Sequence, residues 1–492
     1  DIGCRAPVMV LHKMDYDEPI LNDGILFVTY STLIASNRLG DTRLRQIRDW
    51  LGADDFDGAI ILDEAHRAKN YNSTRTADAI VRFQAEYKYA CVVYMSATAG
   101  VSAHDLGYMS RLGMWGAGAP FPDFPTFVKT FDNVSRLELL CQDLKARGMM
   151  VARMLSFEGC GVEMRVCELT DADKDLYNAA AAWWSKLMQK TPRDVFSMHQ
   201  VFFKQLLNSF KTLAALALIE DALARGECVV IGLQSTGESR AQDAAERGEE
   251  GLTSTPFEIA RSLLDGLPDR EAMLAELVAL DLPPISLDII LHHFGTSAVA
   301  EMTGRRQRVA PVVRGDPCRT ALRTSSDATT IEAVNMAEKT AFMSGQKKIA
   351  VLSDAASCGI SLHADQRCIN QAKRLHITIE MAWSAEKMLQ QFGRTHRANQ
   401  VVAPTYAMLV TDVAGERRFA SAIADKIERL GAITRGDRRG GHGLAMDLIA
   451  HNLDTACGVQ ALTQLQLEAK RGVSPTDSIT AKEVRGSFQR MQ

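Results

Sequence analysis

The sequence contains no uninterrupted apolar run of about 18 residues, so it predicts no membrane-spanning helix. Its 10 cysteines include no C-x-x-C pair and no histidine partner at zinc-binding spacing. This pattern argues against a disulfide scaffold or a zinc site and favours reduced thiols in the cytoplasm. A strong net charge is also absent, because 56 basic residues face 60 acidic ones. A nucleic-acid-binding protein of this composition would therefore need a local basic track.

A glycine-rich phosphate loop is missing as well. No G-x-x-x-x-G-K-[ST] motif, and no relaxed glycine-rich loop that ends in lysine, precedes Asp63. Such a loop supplies the phosphate cradle and the Mg²⁺-binding hydroxyl of many nucleotide hydrolases. The first residues also lack the features of a signal peptide.

Among the features that are present, the stretch Ala59–His66 stands out, with four apolar residues followed by Asp63, Glu64, Ala65 and His66. An apolar run this short fits a strand buried on both faces in the middle of a parallel sheet. Acids at the carboxyl end of such a strand lie where α/β folds bind ligands. In a nucleotide-driven motor, Asp63 would hold Mg²⁺ through water and Glu64 would polarise the attacking water. Taken alone, the stretch favours the simpler explanation, a buried strand with a polar exit.

A second motif carries the spacing Q-x-x-G-R-x-x-R, with Gln390, Gly393, Arg394 and Arg397. On the predicted helix Ala385–Ala398, the two arginines share a face, and both guanidinium groups can reach one phosphate. Two polar segments lie between the first motif and this one, and each follows an apolar run. The segments are Ser96–Thr98 and Ser353–Ser361. Four such features in one order are far less expected by chance than any one of them.

Together the four segments resemble the DExH branch of superfamily 2 helicases. Asp63–His66 is similar to motif II, Ser96–Thr98 to motif III, Ser353–Ser361 to motif V and Gln390–Arg397 to motif VI. Further segments narrow the resemblance to the strawberry notch family of helicase-like proteins, and to a bacterial or phage member of it. These segments are Phe27–Leu33, Val229–Glu238, Ser353–Leu362 and Gly415–Ser421.

The resemblance implies an ATP- and Mg²⁺-dependent motor. In it Asp63 organises Mg²⁺ through water, Glu64 is the catalytic base and Gln390 orients the water or the γ-phosphate, while Arg394 and Arg397 stabilise the transferred charge. Residues implied to couple the nucleotide site to the rest of the motor are His66, Ser96 and Thr98. Implied nucleotide contacts are Asp354 and Gly359. Asp354 has the alternative role of a helix-capping acid.

Contacts to nucleic acid are expected at three places. Hydroxyls and backbone N–H groups at strand ends can bind phosphate without reading sequence, which points to Thr29 and Ser31. A second polar strand end contains Gln234, Ser235 and Thr236. A helix cap is an equally good explanation for any one of these hydroxyls. The strongest basic cluster contains Arg305, Arg306 and Arg308. This cluster would neutralise phosphates of a bound strand. A solvated loop is an equally good explanation for it. DNA is favoured over RNA as the partner.

Packing in the protein core is one explanation for two groups of aromatic residues. Phe121, Phe124, Phe127 and Phe131 could stack on bases, but aromatic residues in a proline-rich segment more often pin a loop to the core. Thr170–Asp173 has capping-box spacing and predicts a helix through about Lys190. We interpret Trp183 and Trp184 on that helix as packing groups.

The predicted fold is α/β, with two RecA-like parallel-sheet lobes, the first of them incomplete, a helical connector and a carboxyl-terminal extension. The resemblance implies that the phosphate loop precedes residue 1, so we expect this chain to be truncated within its first lobe and inactive alone. The expected domains are a partial first lobe at 1–160, a helical connector at 161–225, a second lobe at 226–435 with an irregular insertion at about 239–340, and a mainly helical extension at 436–492.

The predicted function is that of an ATP-dependent helicase or translocase acting on nucleic acid. One alternative is a non-catalytic two-lobe scaffold that recruits partners in gene regulation. The intact Asp63, Glu64, Arg394 and Arg397 count against it, because a pure scaffold has no chemical need for them. Another alternative is the motor part of a larger DNA-modification or mobile-element protein. The chain itself carries no methyltransferase or nuclease signature.

Overall fold

The computed structural model of the chain describes most residues up to position 427. The described residues are 6–36, 42–52, 55–69, 74–96, 100, 102–152, 159–190, 195–234, 254–309, 320–323, 330–353, 360–413, 415–417, 419–420, 422–423, 426–427, 460 and 464. Every helix within these ranges is too short or too polar to cross a bilayer. The chain divides into two compact units, unit 1 with Asp1–Met154 and Lys426–Gly441, and unit 2 with Leu155–Asp425 and His442–Gln492.

Unit 1 is built on two pairs of short parallel strands. Strand β1 (Val8–Val10) pairs with β2 (Ile25–Phe27), and β3 (Ala59–Leu62) pairs with β4 (Cys91–Tyr94). Around them lie the helices α1 (Tyr30–Leu33), α2 (Arg43–Leu51), α3 (Arg75–Glu86), α4 (Phe124–Thr130) and α5 (Val134–Ala146).

Strand β3 forms where the apolar run predicted it, but its surroundings differ from the prediction. It pairs with β4 alone among the described residues. Ile61 of β3 is 62% exposed and Val93 of β4 is 40% exposed. The expectation that this strand is buried on both faces is therefore wrong for the described part of unit 1. Alternate side chains of a strand point to opposite faces, and here only one face packs on the core.

The phenylalanines of the loop-rich segment belong to the core of unit 1. The Phe127 side chain is fully buried. Its ring centroid lies 4.9 Å from that of Trp115 and 5.0 Å from that of Phe131. Phe121 and Phe124 pack against the same cluster. The structure thus favours the packing role for these rings over base stacking.

Unit 2 is organised around a six-stranded sheet with the order β5-β12-β11-β6-β10-β7. All neighbouring strands are parallel. Its strands are β5 (Gly161–Cys167), β6 (Cys228–Leu233), β7 (Val299–Met302), β10 (Ile349–Ser353), β11 (Arg374–Thr378) and β12 (Thr405–Thr411), and a separate antiparallel pair is formed by β8 (Gln307–Val309) and β9 (Thr320–Leu322).

The helices of unit 2 cover both faces of this sheet. They are α6 (Asp171–Lys190), α7 (Phe196–Phe210), α8 (Thr212–Ala224), α9 (Thr255–Ser262), α10 (Arg270–Ala279), α11 (Ser286–Phe294), α12 (Ile331–Ser344) and α13 (Ala385–Phe392). Every residue of β6 is buried. Val229 and Ile231 pack with α8 and α11 on one face, and Val230 packs with Phe342 of α12 on the other. Such continuous burial is the mark of a central parallel strand.

Helices α6, α7, α9 and α10 form a second apolar cluster in unit 2. The predicted capping box opens α6, because Asp173 N donates to Thr170 Oγ1 at 3.1 Å and Thr170 N donates to Asp173 Oδ2 at 3.1 Å. Trp183 and Trp184 are almost completely buried. Trp183 Nε1 also donates to the Met273 carbonyl at 3.0 Å. Their prediction as packing groups is confirmed.

Three stretches of unit 2 differ from the sequence expectations. Residues 161–167 form β5 and join the sheet, although the helical connector was expected to begin there. The described part of 239–340 contains four helices, α9 to α12, and the buried strand β7. The helix expected through Ala398 ends at Phe392.

Candidate functional site

The acid pair of unit 1 follows the carboxyl end of β3 directly. Glu64 has left-handed backbone angles, φ 48° and ψ 46°, and the short 3₁₀ turn Ala65–Ala68 follows it. Its amide donates to Asp63 Oδ1 at 3.0 Å. A residue other than glycine in this region stores about 1–3 kcal/mol of backbone strain. The chain thus turns sharply at the two carboxylates, and the Asp63 side chain stays exposed.

A chain of three side chains connects the end of β3 with the end of β4. His66 Nδ1 lies 3.2 Å from Glu64 Oε2 and 3.0 Å from Ser96 Oγ. Two backbone bonds support the connection, since Ala65 N donates to Met95 O and Met95 N donates to Leu62 O, each at 2.9 Å. Both partners meet the same ring nitrogen, so the position of its proton decides which contact is the stronger. The structure therefore brings together Glu64, His66 and Ser96.

Tyr30 is a residue of this site that the sequence reasoning missed. Its hydroxyl donates to the backbone carbonyl of Asp63 at 2.7 Å. Burial, with a smaller contribution from the Asp63 charge, raises the pKa of Tyr30 to about 12. The hydroxyl is therefore a stable donor at neutral pH. The signal in the sequence was a tyrosine placed between two predicted contact residues, Thr29 and Ser31.

The hydroxyls of Thr29 and Ser31 have a local structural role. Thr29 is the N-cap of α1, and its Oγ1 accepts from Thr32 N at 3.1 Å. The Oγ atoms of Ser31 and Thr32 lie 3.0 and 2.8 Å from Thr29 Oγ1. This is the helix-cap alternative that the sequence left open. Ser31 is exposed, so a phosphate contact by it stays a prediction.

In unit 2, the two arginines of the Q-x-x-G-R-x-x-R motif lie beyond the end of α13. Arg394 O accepts from Leu362 N at 2.7 Å, and Arg394 Nη1 donates to Ile360 O at 3.3 Å. Arg397 is exposed, and its Nε donates to Gly393 O at 3.1 Å. The prediction that both arginines share one face of a regular helix is wrong. Gln390 lies on α13 itself and is half-buried.

The end of α13 is fixed by hydroxyl groups. The Phe392 carbonyl accepts from Tyr406 Oη at 3.0 Å and from Thr395 Oγ1 at 3.2 Å. Thr395 Oγ1 also lies 2.9 Å from Nδ1 of the buried His376, and complete burial lowers the pKa of His376 to about 3. The Phe392 carbonyl also accepts backbone bonds from Thr395 N at 3.1 Å and His396 N at 3.2 Å, so side-chain and backbone donors meet at the end of the helix. They position Arg394 and Arg397 without a helix.

Arg305 has a structural role that corrects its prediction as a phosphate ligand. Its side chain is completely buried. Nη1 donates to Asp288 Oδ1 at 2.6 Å and Nε donates to Glu301 Oε1 at 3.0 Å. A guanidinium enclosed by two buried carboxylates is not available to a phosphate in this structure. Arg306 is exposed, and the side chain of Arg308 lies outside the description.

Gln234 follows β6 and is anchored by a buried acid. The backbone N–H of Gln234 donates to Glu380 Oε2 at 2.8 Å, and Glu380 is 3% exposed. Gln205 Nε2 donates to the other oxygen of Glu380 at 3.1 Å. The remaining predicted site residues lie outside the described residues. They are Thr98, Ser235, Thr236, Asp354 and Gly359.

A magnesium ion fits the donor set at Asp63. Within the described ranges, no group of three or more histidine, cysteine or acidic side chains lies together as a metal cage. Mg²⁺ is usually bound through one or two carboxylates, several waters and the phosphates of a substrate. The exposed Asp63 carboxylate, at the end of a parallel strand, suits that mode of binding.

Comparison with known proteins adds the family to this geometry. A family model described as "P-loop containing NTP hydrolase pore-1" matches residues 1–179, and one described as "C-terminal domain on Strawberry notch homologue" matches residues 286–491. These matches place the chain among helicase-like P-loop NTPases. Within that class, the chain belongs to the strawberry notch family.

Curated relatives from animals and a plant match nearly the whole chain. Protein strawberry notch homolog 2 of Mus musculus is 34% identical over 94% of this chain and 43% of its own length. Protein strawberry notch homolog 1 of Rattus norvegicus is 34% identical over 94% of this chain and 47% of its own length. Protein FORGETTER 1 of Arabidopsis thaliana is 31% identical over 92% and 48%. The chain thus spans about half the length of these relatives.

Among solved structures, one similarity is to the crystal structure of the DUF1998 helicase MrfA bound to DNA and AMPPNP. The two share 10% sequence identity over 86% of this chain and 39% of that one, with a TM-score of 0.36. At this overlap the similarity supports no functional argument.

Replacing Tyr30 by phenylalanine tests its contact with Asp63. We expect the variant to lose about 0.5–1 kcal/mol of stability near pH 8, because one partly exposed hydrogen bond is removed. The pKa of Tyr30 is raised, so the stabilisation is full below about pH 10 and falls as the pH approaches 12. The difference between the two proteins should shrink across that range. Hydrogen exchange of the β3 and β4 amides measures it.

Tyr89→Phe is the matched control, because Tyr89 is 72% exposed. An equal loss of protection in both variants would contradict the assigned contact.

Proposed function

We propose that the complete protein carrying this chain is an ATP-dependent nucleic-acid helicase or translocase. The family supplies the class, a helicase-like P-loop NTPase. The observation that carries the proposal is the chain of contacts from Glu64 through His66 to Ser96. A carboxylate that acts as a base on water must be held in place, and these contacts hold Glu64 at the end of β3.

Each predicted residue has a distinct part in this proposal. Asp63 would hold Mg²⁺, and Glu64 would accept the proton of the attacking water. When bound, the ion held by Asp63 would supply positive charge to the phosphate groups. Gln390 would orient the water or the γ-phosphate, while the guanidinium groups of Arg394 and Arg397 would stabilise the negative charge of the transferred phosphoryl group.

Two structural features support this division of labour. The exposed Asp63 carboxylate is accessible to a hydrated ion, and the neighbouring Glu64 is half-buried, with its Oε2 3.2 Å from His66 Nδ1. The guanidinium of Arg394 donates to the Ile360 carbonyl and that of Arg397 to the Gly393 carbonyl, and these bonds orient the two groups. Preorganised donors of this kind contribute most when charge develops next to them.

The nucleic-acid part of the proposal depends on fewer residues. The exposed Ser31, the exposed Arg306 and the anchored Gln234 are the described candidates for contact with a strand. Contacts of this type position the backbone and do not read sequence. We propose DNA as the favoured partner, with movement along the strand coupled to hydrolysis.

Replacing Glu64 by glutamine tests the assigned base. The amide keeps the shape of the side chain but cannot accept the proton, so we expect ATP turnover to fall by about 10²–10⁴-fold. The control is Glu271→Gln, a change of the same chemistry at an exposed position of α10. Steady-state phosphate release by the complete protein is the measurement. Turnover within a few-fold of wild type would contradict the assignment.

Replacing Arg397 by alanine tests the arginine pair. We expect turnover to fall by about 10³-fold or more, because the charge that stabilises the transferred phosphoryl group is lost. Arg397→Lys should recover only part of the activity, since a point charge cannot form two parallel hydrogen bonds. Arg225→Ala removes an exposed arginine paired with Glu227 and serves as the control. Near-normal turnover of Arg397→Ala in pre-steady-state phosphate release would exclude the proposed role.

A further inference from the structure

An aromatic cavity in unit 2 is unexplained by the proposed catalytic residues. It has a volume of about 160 Å³ and lies between helices α6 and α7 and the segments that follow β11 and β12. Five of the side chains that line it carry aromatic rings, Tyr177, His199, Phe203, Trp383 and Phe419. Trp383 is 47% exposed, so part of its ring surface is accessible from solvent. The cavity therefore offers flat apolar surface to a ligand.

One polar side chain in the cavity has an unsatisfied donor. Asn208 lies on α7, is 4% exposed and lines the cavity. Its Nδ2 is buried and has no hydrogen-bond partner among the described residues. A buried donor without a partner is costly, and most buried donors in proteins have one. A ligand that brings an acceptor to Asn208 would remove that cost.

A cation borders the same cavity. Lys204 Nζ lies 4.5 Å from the centroid of the Trp383 ring and donates to the Met381 carbonyl at 2.9 Å. The ring of Trp383 is also 5.2 Å from that of Phe419, at an interplanar angle of 74°. These contacts fix the indole in one orientation. A fixed and partly exposed indole is a good platform for stacking.

From these three features we propose that the cavity binds a nucleobase, stacked on Trp383 and hydrogen-bonded to Asn208. Bases are planar, and their edges carry ring nitrogens and carbonyl oxygens that accept hydrogen bonds. The side chains of phenylalanine and tryptophan offer no such acceptor to the Asn208 amide. An aliphatic side chain would neither stack on the rings nor accept a hydrogen bond from the Asn208 amide. A nucleobase uses both.

The position of the cavity points to a base of a bound strand. Lys204 Nζ lies 3.3 Å from Glu380 Oε1, and the other oxygen of Glu380 accepts a hydrogen bond from the backbone N–H of Gln234. One buried acid thus connects the cavity with the segment expected to contact nucleic acid. This step rests on the proposed function. A free nucleotide carries the same base chemistry and is distinguished by experiment.

The test is strand binding by the full chain, measured by fluorescence anisotropy of a labelled single-stranded oligonucleotide. We expect Trp383→Ala to weaken binding by about 5- to 140-fold, the range expected for one stacked base. Trp383→Phe keeps a ring and should lose less. Asn208→Leu should also weaken binding, because the base loses its donor. Tyr89→Ala, which removes an exposed ring far from the cavity in sequence, should bind as the wild type does.

A second arm uses deoxyadenosine monophosphate in equilibrium dialysis and separates the sources of the base. Loss of nucleotide binding in Trp383→Ala, with strand binding unchanged, would assign the cavity to a free nucleotide. Wild-type strand and nucleotide binding by both the Trp383→Ala and Asn208→Leu variants would overturn the proposal and leave the motor function intact. If the wild type binds no strand, the nucleic-acid part of the proposed function fails. Absence of nucleotide binding as well would then overturn the cavity proposal.

Discussion

Buried and half-buried carboxylates along the carboxyl edge of the unit 2 sheet are the feature on which its structure most depends. Glu301 lies on β7, Glu380 follows β11 and Glu416 follows β12. Glu301 pairs with the buried Arg305 at 3.0 Å, Glu380 with the half-buried Lys204 at 3.3 Å, and Glu416 with the buried Lys211 at 2.5 Å. Removing one partner of such a pair typically costs about 3–5 kcal/mol, since the other charge is left buried and alone.

These ion pairs constrain what the same edge can do. Parallel strands end together, so the segments after them meet there and bind ligands in many α/β proteins. In unit 2, Arg305 is bound to Glu301 and therefore has a structural role. Glu380 contacts both the backbone N–H of Gln234 and Lys204, which lines the aromatic cavity. At the end of β3 in unit 1, Glu64, His66 and Ser96 contact one another in a similar way. In both units, polar groups at strand ends are held by neighbours before any ligand arrives.

Much of the fold followed from local pattern. The apolar runs at β6 and β10 are buried on both faces, and both capping-box residues of α6 bond as their spacing predicted. What the sequence did not reveal depends on distant residues. Arg305 looked like part of a basic loop because Asp288 and Glu301, its partners, are not adjacent to it in a recognisable pattern.

The same limit applies to the candidate site. The acid pair was visible as a motif, whereas the Tyr30 hydroxyl became relevant only when the fold brought it to the Asp63 carbonyl. The end of α13 is set by hydroxyls of Thr395 and Tyr406, and periodicity alone cannot register such bonds. The cavity draws residues from positions 177 to 419, so no sequence window contains it.

The most direct test of the motor function is ATP hydrolysis by the complete protein, measured with and without single-stranded DNA, double-stranded DNA and RNA. We expect hydrolysis that one of these nucleic acids stimulates, with DNA favoured. The stimulating nucleic acid then names the track. A protein that hydrolyses no ATP under any of these conditions would contradict the motor function and favour a scaffold that recruits partners.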